Sequence, residues 1–222
     1  MKIKRDGITY TLSQKTLTAV VSNCDEKKEG KVVLPTQVEY KGKTYAVTEI
    51  ANNAFAQRTA LTHIDIPETI TTIGWDAFRN CENLVSISFS EGLQKVESYV
   101  FNGCKNLEEL VFPNSLTELG INYFYECDNL KTLVIPNSVV STECIGMESL
   151  LQIPQLTYLQ LPPHILIDLC AAAGNYHYND EEEKETDIKI TTEQDALCFS
   201  VPMPALCSHL KLNPNCKISV GE

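Results

Sequence analysis

Ile73-Gly74-Trp75-Asp76-Ala77-Phe78-Arg79-Asn80-Cys81-Glu82-Asn83-Leu84-Val85-Ser86-Ile87-Ser88-Phe89 decides the fold, because its apolar positions return along the chain at a fixed step of 23 residues. Phenylalanine recurs at Phe55, Phe78, Phe101 and Phe124, and the apolar residue before each is Ile50, Ile73, Val96 and Leu119. Downstream, the same offsets give Leu61, Leu84, Leu107 and Leu130, then Ile64, Ile87, Leu110 and Leu133, then Ile66, Phe89, Phe112 and Ile135. Apolar side chains recurring in phase let successive coils share one interior, so the period predicts a solenoid that grows by stacking.

Each unit holds a short alternating segment such as Leu61-Thr62-His63-Ile64-Asp65-Ile66, in which Ile64 and Ile66 point the same way because strand side chains alternate. Pro67, Pro113, Pro136 and Pro162 follow such segments and end them, lacking an N–H to donate. Around the phenylalanine, Trp75-Asp76-Ala77-Phe78 and Tyr99-Val100-Phe101 are too short for a full helix, and a single helical or 3₁₀ turn is expected there. A fifth unit, slipped by three residues, runs through Ile145, Leu150, Ile153, Leu156, Leu159, Leu161 and Ile165, with the insertion falling in residues 140–144. Residues 1–46 read as a β-hairpin cap, with strands at Ile8–Leu12 and Leu17–Val21, a repeat-like strand at Val32-Val33-Leu34-Pro35 and a second hairpin turn within Tyr40–Tyr45. Residues 166–222 read as a C-terminal cap or degenerate repeats. They offer a helix over Pro163–Ala173, an acidic loop from Asp180, and short strand candidates at Ile188–Ile190, Phe199–Pro202, Leu210–Leu212 and Ile218–Val220.

A period in the range of 20 to 29 residues with an L-x-x-L-x-L pattern is the mark of leucine-rich repeats. The unit Ile73–Leu84 and its continuation Leu130-Lys131-Thr132-Leu133-Val134-Ile135-Pro136-Asn137-Ser138-Val139 resemble the BspA-like class of these repeats, as does the entry through Tyr45–Ile50. The expected fold is therefore an α/β solenoid: a right-handed leucine-rich-repeat coil over residues 47–165, with five repeats, a parallel β-sheet on one face and short helical or 3₁₀ turns on the other. The resemblance implies a bacterial protein of the cell surface or secreted, acting in adhesion or protein binding.

The net charge of -11 is uneven: the cap region is net positive and the repeats and tail are acidic. Acidic repeats repel phosphate backbones, which excludes nucleic acid as the expected partner. No apolar run is long enough for a membrane span. The opening Met1-Lys2-Ile3-Lys4-Arg5-Asp6-Gly7 has no apolar stretch behind its charges, so no signal peptide is expected in this chain and a cytoplasmic location stays open.

No cofactor or metal is expected. Cys81, Cys104 and Cys127 share one repeat column with Arg58 and Ile153. Stacked cysteines have parallel Cβ vectors that hold the sulfurs apart, so the column reads as buried thiols and not as disulfides or a tetrahedral metal site. Cys198, Cys207 and Cys216 lack a Cys-x-x-Cys pair, and either a disulfide or burial suits them better than zinc. The acidic run lacks the spacing of a calcium loop, and His164, His177 and His209 are lone histidines expected to be structural or exposed.

The outward strand positions form two columns: His63, Ser86, Glu109, Thr132 and Tyr158, beside Asp65, Ser88, Val111, Val134 and Gln160. His63, Ser86 and Glu109 are the residue types of a hydrolase triad in the wrong order, since the base must lie between nucleophile and carboxylate. A flat ladder also supplies no oxyanion donors. The ten positions together suit contact with a protein or glycan by a monomeric, non-enzymatic module; the alternative is a structural spacer or assembly element with no ligand. Trp75 and Tyr99 are expected to pack against neighbouring turns.

Overall fold

The computed structural model describes residues 1–121, 124–140, 153, 155–162 and 165, together with the backbone of three later strands. The strands are β1 (Lys2–Arg5), β2 (Ile8–Ser13), β3 (Thr18–Cys24), β4 (Gly30–Val33), β5 (Gln37–Tyr40), β6 (Lys43–Ile50), β7 (Leu61–Ile66), β8 (Thr72–Ile73) and β9 (Ser86–Phe89). They continue as β10 (Lys95–Val96), β11 (Glu109–Val111), β12 (Glu118–Leu119), β13 (Thr132–Val134), β14 (Tyr158–Leu161), β15 (Asp187–Ile190), β16 (Phe199–Pro202) and β17 (Lys217–Val220).

Two sheets run along the repeats. One has the order β17-β14-β13-β11-β9-β7-β4, with parallel pairing between the repeat strands. The other, β1-β2-β3-β6-β8-β10-β12 with β5 on β6, is parallel from β3 onward along that path and antiparallel at its start. The repeats therefore carry a second parallel ladder, in which Ile73 pairs with Ile50 and with Val96, and Val96 with Leu119. Two residues per coil cannot show alternation, so this ladder is visible only once the coils are stacked.

The expected helical or 3₁₀ turn is not what the chain forms around the phenylalanines. In Asn53–Arg58, the N–H groups of Ala56 and Arg58 bond three residues back, to Asn53 and Phe55. Those of Asn53, Phe55 and Gln57 instead bond to Trp75, Ala77 and Arg79 of the next coil. Left-handed φ angles at Asn53, Gln57, Asp76, Asn80, Tyr99 and Gly103 turn alternate amides outward. A helix would direct all of them along its own axis, leaving none to bridge coils. The outer edge is thus a ladder of β-turns.

The cap follows the same logic of closing edges. β1, β2 and β3 form an antiparallel meander, and β3 then pairs in parallel with β6. Lys41 and Gly42, both at positive φ, make the tight β5–β6 hairpin. Arg58 secures the cap to the first coil, donating from Nε to the Cys24 carbonyl at 2.5 Å and from Nη2 to Asn23 Oδ1 at 3.0 Å.

The phenylalanine column is one continuous interior. Phe55, Phe78, Phe101 and Phe124 are buried completely. Phe55 and Phe78 stack at 5.2 Å, and Phe78 and Phe101 at 6.0 Å. Phe89 and Phe112 stack as a second aromatic pair, with Phe101 tilted against Phe112. An asparagine ladder lines the same coils: Asn106 Nδ2 donates to Glu82 O and to Asn83 Oδ1, and Asn129 Nδ2 to Lys105 O and to Asn106 Oδ1.

Beyond the repeats, β17 joins β14 in parallel, Tyr158 beside residue 217 and Gln160 beside residue 219, so Ile218–Val220 does extend the sheet. β15 and β16 pair antiparallel, as two of the strand candidates. The insertion at 141–144, Leu150, the body of the 163–173 helix, the acidic run from Asp180, Leu210–Leu212, Cys198, Cys207, Cys216, His164, His177 and His209 lie outside the described residues.

Candidate functional site

Strand register sets the outward columns, because side chains alternate and only every second residue leaves the core. His63 pairs with Ser86, Ser86 with Glu109, Glu109 with Thr132 and Thr132 with Tyr158. Asp65 pairs with Ser88, Val111 with Val134 and Val134 with Gln160. All ten positions therefore lie in two adjacent rows on one sheet. Both rows begin earlier than expected, since Lys31 pairs with His63 and Val33 with Asp65. The β5–β6 hairpin lies between these strands in sequence and breaks the step of 23, which hid Lys31 and Val33. Their strand carries the repeat's closing proline, and that was the available signal.

The face divides by chemistry. At its start, Lys31 Nζ lies 2.7 Å from Asp65 Oδ2 and Ser88 Oγ donates to Asp65 Oδ1 at 2.8 Å. These two bonds, Lys31 first, hold the Asp65 carboxyl below its ordinary value. His63 Nδ1 lies 2.9 Å from Thr62 Oγ1, so its ring is engaged along its own strand and not with Ser86. Here the polar groups satisfy one another.

Further along, Glu109 is exposed, and its carboxylate has no ion pair or hydrogen bond among the described residues, Lys131 pairing instead with Glu108. Beside it Val111 keeps 43% of its surface in water, with Val134 half-buried next in the row. Tyr158 donates its hydroxyl to Gln160 Oε1 at 3.1 Å, leaving both half-buried. An unpaired carboxylate beside an exposed valine, a half-buried one and a tyrosine offers one charge, apolar area and hydrogen-bonding groups to a partner.

The cysteine column supplies no open chemistry. Cys81, Cys104 and Cys127 are buried free thiols, donating to the carbonyls of Phe55, Phe78 and Phe101 at 3.0, 3.2 and 3.2 Å. Burial pushes Cys81 and Cys127 up to about 12 and Cys104 well above the ordinary thiol value. Among the described residues no three His, Cys, Asp or Glu side chains are grouped to hold a metal ion. A wide depression of about 410 Å³ lies beside the cap, lined by Lys4, Cys24, Asp25 and Arg58 among others. Within it Lys4 pairs with Asp25 at 2.6 Å and Arg58 bonds the cap backbone. No helix among the described residues is long and apolar enough to cross a membrane.

Solved structures of bacterial repeat proteins share this architecture. A leucine-rich repeat protein of T. pallidum is similar at 27% identity and TM-score 0.63, over 74% of this chain and 73% of that one. A leucine-rich repeat protein from Bacteroides ovatus matches at 25% identity and TM-score 0.53, over 72% of this chain and 47% of that one. A leucine rich cell surface protein from Faecalibacterium prausnitzii matches in fold at 22% identity and TM-score 0.51, over 73% of this chain and 48% of that one. This chain thus corresponds to about half the length of the latter two. No curated protein matches the sequence. Six copies of the BspA type leucine rich repeat region match residues 47–169, more than half of the chain, and the chain belongs to that family.

Proposed function

We propose that the chain is a non-enzymatic recognition module of a bacterial cell surface or secreted protein, binding a protein ligand through its outward sheet face, with a glycan as the other ligand class. The observation that carries this reading is that unpartnered Glu109 and exposed Val111 lie side by side on β11, in register with Thr132, Val134, Tyr158 and Gln160. His63, Asp65, Ser86 and Ser88 form the polar end of the same surface, where Ser88 bonds Asp65 and His63 bonds Thr62. Family membership and the cell surface protein among its structural relatives support the location. In this reading the coil is right-handed, the hand that connections between parallel strands almost always take, and the protein acts as a monomer.

Binding of the purified protein to candidate surface proteins, followed by amide exchange in the complex, tests the reading. Protection is expected over β11, β13 and β14. Replacing Glu109, Val111, Thr132 and Val134 together by alanine should abolish binding without unfolding the stack, since all four face outward. Unchanged binding by that variant would remove the sheet face from the mechanism and favour the spacer reading.

A further inference from the structure

The cap sheet ends on β1, which pairs with β2 on one side and with no described strand on the other. Hydrogen bonds at the start of the strand fix which main-chain groups point outward. Leu12 N–H donates to Met1 O at 2.7 Å and the Met1 amine to Leu12 O at 3.2 Å, so these two residues exchange both bonds. Bonded and unbonded pairs alternate along an antiparallel ladder, so Ile3 and Arg5 also turn toward β2. Lys2 and Lys4, opposite Thr11 and Thr9, therefore direct their N–H and C=O groups away from the sheet. The same edge is basic. Lys2, Lys4 and Arg5 are exposed, and only Ile3 is buried. Lys4 pairs with Asp25 at 2.6 Å, and the Arg5 guanidinium reaches round to the edge to donate to Lys4 O at 2.9 Å. The Lys2 amine has no partner among the described residues.

We propose that the β1 edge is a second binding site, distinct from the outward face of the repeats, and that it takes an acidic peptide in extended form, added as one more strand. Main-chain bonds to Lys2 and Lys4 dock such a strand, and side chains choose it. Lysine on an edge blocks pairing with a basic or apolar strand. Opposite glutamates or aspartates, the same residues form cross-strand pairs of opposite charge, which favour association. Arg5 then leaves the Lys4 carbonyl for an incoming carboxylate, whose planar geometry its fork matches. Charge also decides against a second copy of this chain, because residues 1–46 carry nine basic and five acidic side chains and two such edges repel. The acidic coils do not cancel this local field. β8 lies four strand steps from β1, roughly 19 Å along the sheet, whereas the Debye length at physiological salt is about 8 Å.

The intact protein, labelled with nitrogen-15, is titrated at physiological salt with three end-blocked octapeptides: alternating Glu and Thr, alternating Lys and Thr, and the Glu-Thr sequence N-methylated throughout. Methylation keeps the charge and removes every main-chain donor, so it separates strand addition from simple attraction. The Glu-Thr peptide should shift the Lys2 and Lys4 amide signals saturably and slow their exchange with water at least tenfold, and the other two peptides should do neither. Lys2→Glu with Arg5→Glu should weaken that binding at least tenfold, since attraction becomes repulsion at two positions. Both side chains are exposed and the main-chain bonds to β2 remain, so the melting curve of this variant should match the parent. The sheet-face variant with alanine at Glu109, Val111, Thr132 and Val134 should bind the Glu-Thr peptide as the parent does, which keeps this site separate from the first. The proposal is overturned if the Glu-Thr peptide does not saturate, if either control peptide binds as tightly, or if the charge-reversed variant binds unchanged. Protection of Lys2 and Lys4 that grows with protein concentration in the absence of peptide would overturn it too, by assigning the edge to a second copy.

Discussion

Cys81, Cys104 and Cys127 each donate to a phenylalanine carbonyl of the preceding coil, so a column read from the sequence as simple burial also stitches coil to coil. Spacing shows that residues share a column, but not where their hydrogen bonds go. For the same reason Arg58, which looked only like a tolerated replacement in that column, does the analogous task at the cap by donating to the Cys24 carbonyl. The buried thiols have a consequence for pH. An ordinary thiol ionises near 9.0, whereas burial holds Cys81 and Cys127 at about 12. The folded state therefore keeps protons that the unfolded chain releases. Their contribution is complete below pH 9 and is lost as pH rises toward 12, at roughly 1.4 kcal/mol per pH unit for each thiol. Urea unfolding at pH 8, 9, 10 and 11 should show stability falling more steeply in the parent than in a variant with alanine at all three positions. Equal slopes would mean that the thiols ionise freely in the fold.

At the level of elements, the strands of the first sheet were readable because their side chains alternate, and their predicted columns coincide with the observed register from His63 to Tyr158. β1 was not readable, since Ile3 is its only apolar residue among Lys2, Lys4 and Arg5. The turn ladder was half readable: Asn53, Asp76, Asn80 and Gly103 are the residue types that tolerate left-handed backbone, but Tyr99 and Gln57 in the same columns conceal the pattern. One turn shows how closely these elements approach. Position 90 holds serine where other units place proline, and Gly92 follows at φ 130. A Cβ there would fall on the backbone oxygen of Glu68, which cannot swing aside. The Gly92 N–H also donates to Ser115 Oγ at 2.9 Å, linking this turn to the next. Gly92→Ala should therefore combine strained backbone with overpacking, each of order 1 to 3 kcal/mol, for a loss of about 3 kcal/mol or more. A thermal melt of that variant within about 0.5 kcal/mol of the parent, the range of neutral surface changes, would show that the turns have room between them.

For the whole molecule, stacking makes stability a sum of coil terms and nearest-neighbour contacts, so damage in the middle should divide the array. Phe101 is the natural place to cut. It is fully buried, lies parallel to Phe78 at 6.0 Å and tilts against Phe112 at 6.1 Å. Removing its ring should cost about 3 to 5 kcal/mol, as other large core truncations do. On the N-terminal side, the first coils remain closed by the antiparallel meander and by the Arg58 bonds to the cap, neither of which touches Phe101. On the other side, β11 and β13 lose the ring that anchors their coils to the rest. Native-state amide exchange of Phe101→Ala should therefore accelerate by roughly a hundredfold in β11 and β13, the equivalent of about 3 kcal/mol, while β2, β3 and β6 change far less. Equal acceleration across the cap and all coils would mean that the chain opens as one cooperative unit, and the nearest-neighbour account of this solenoid would fail.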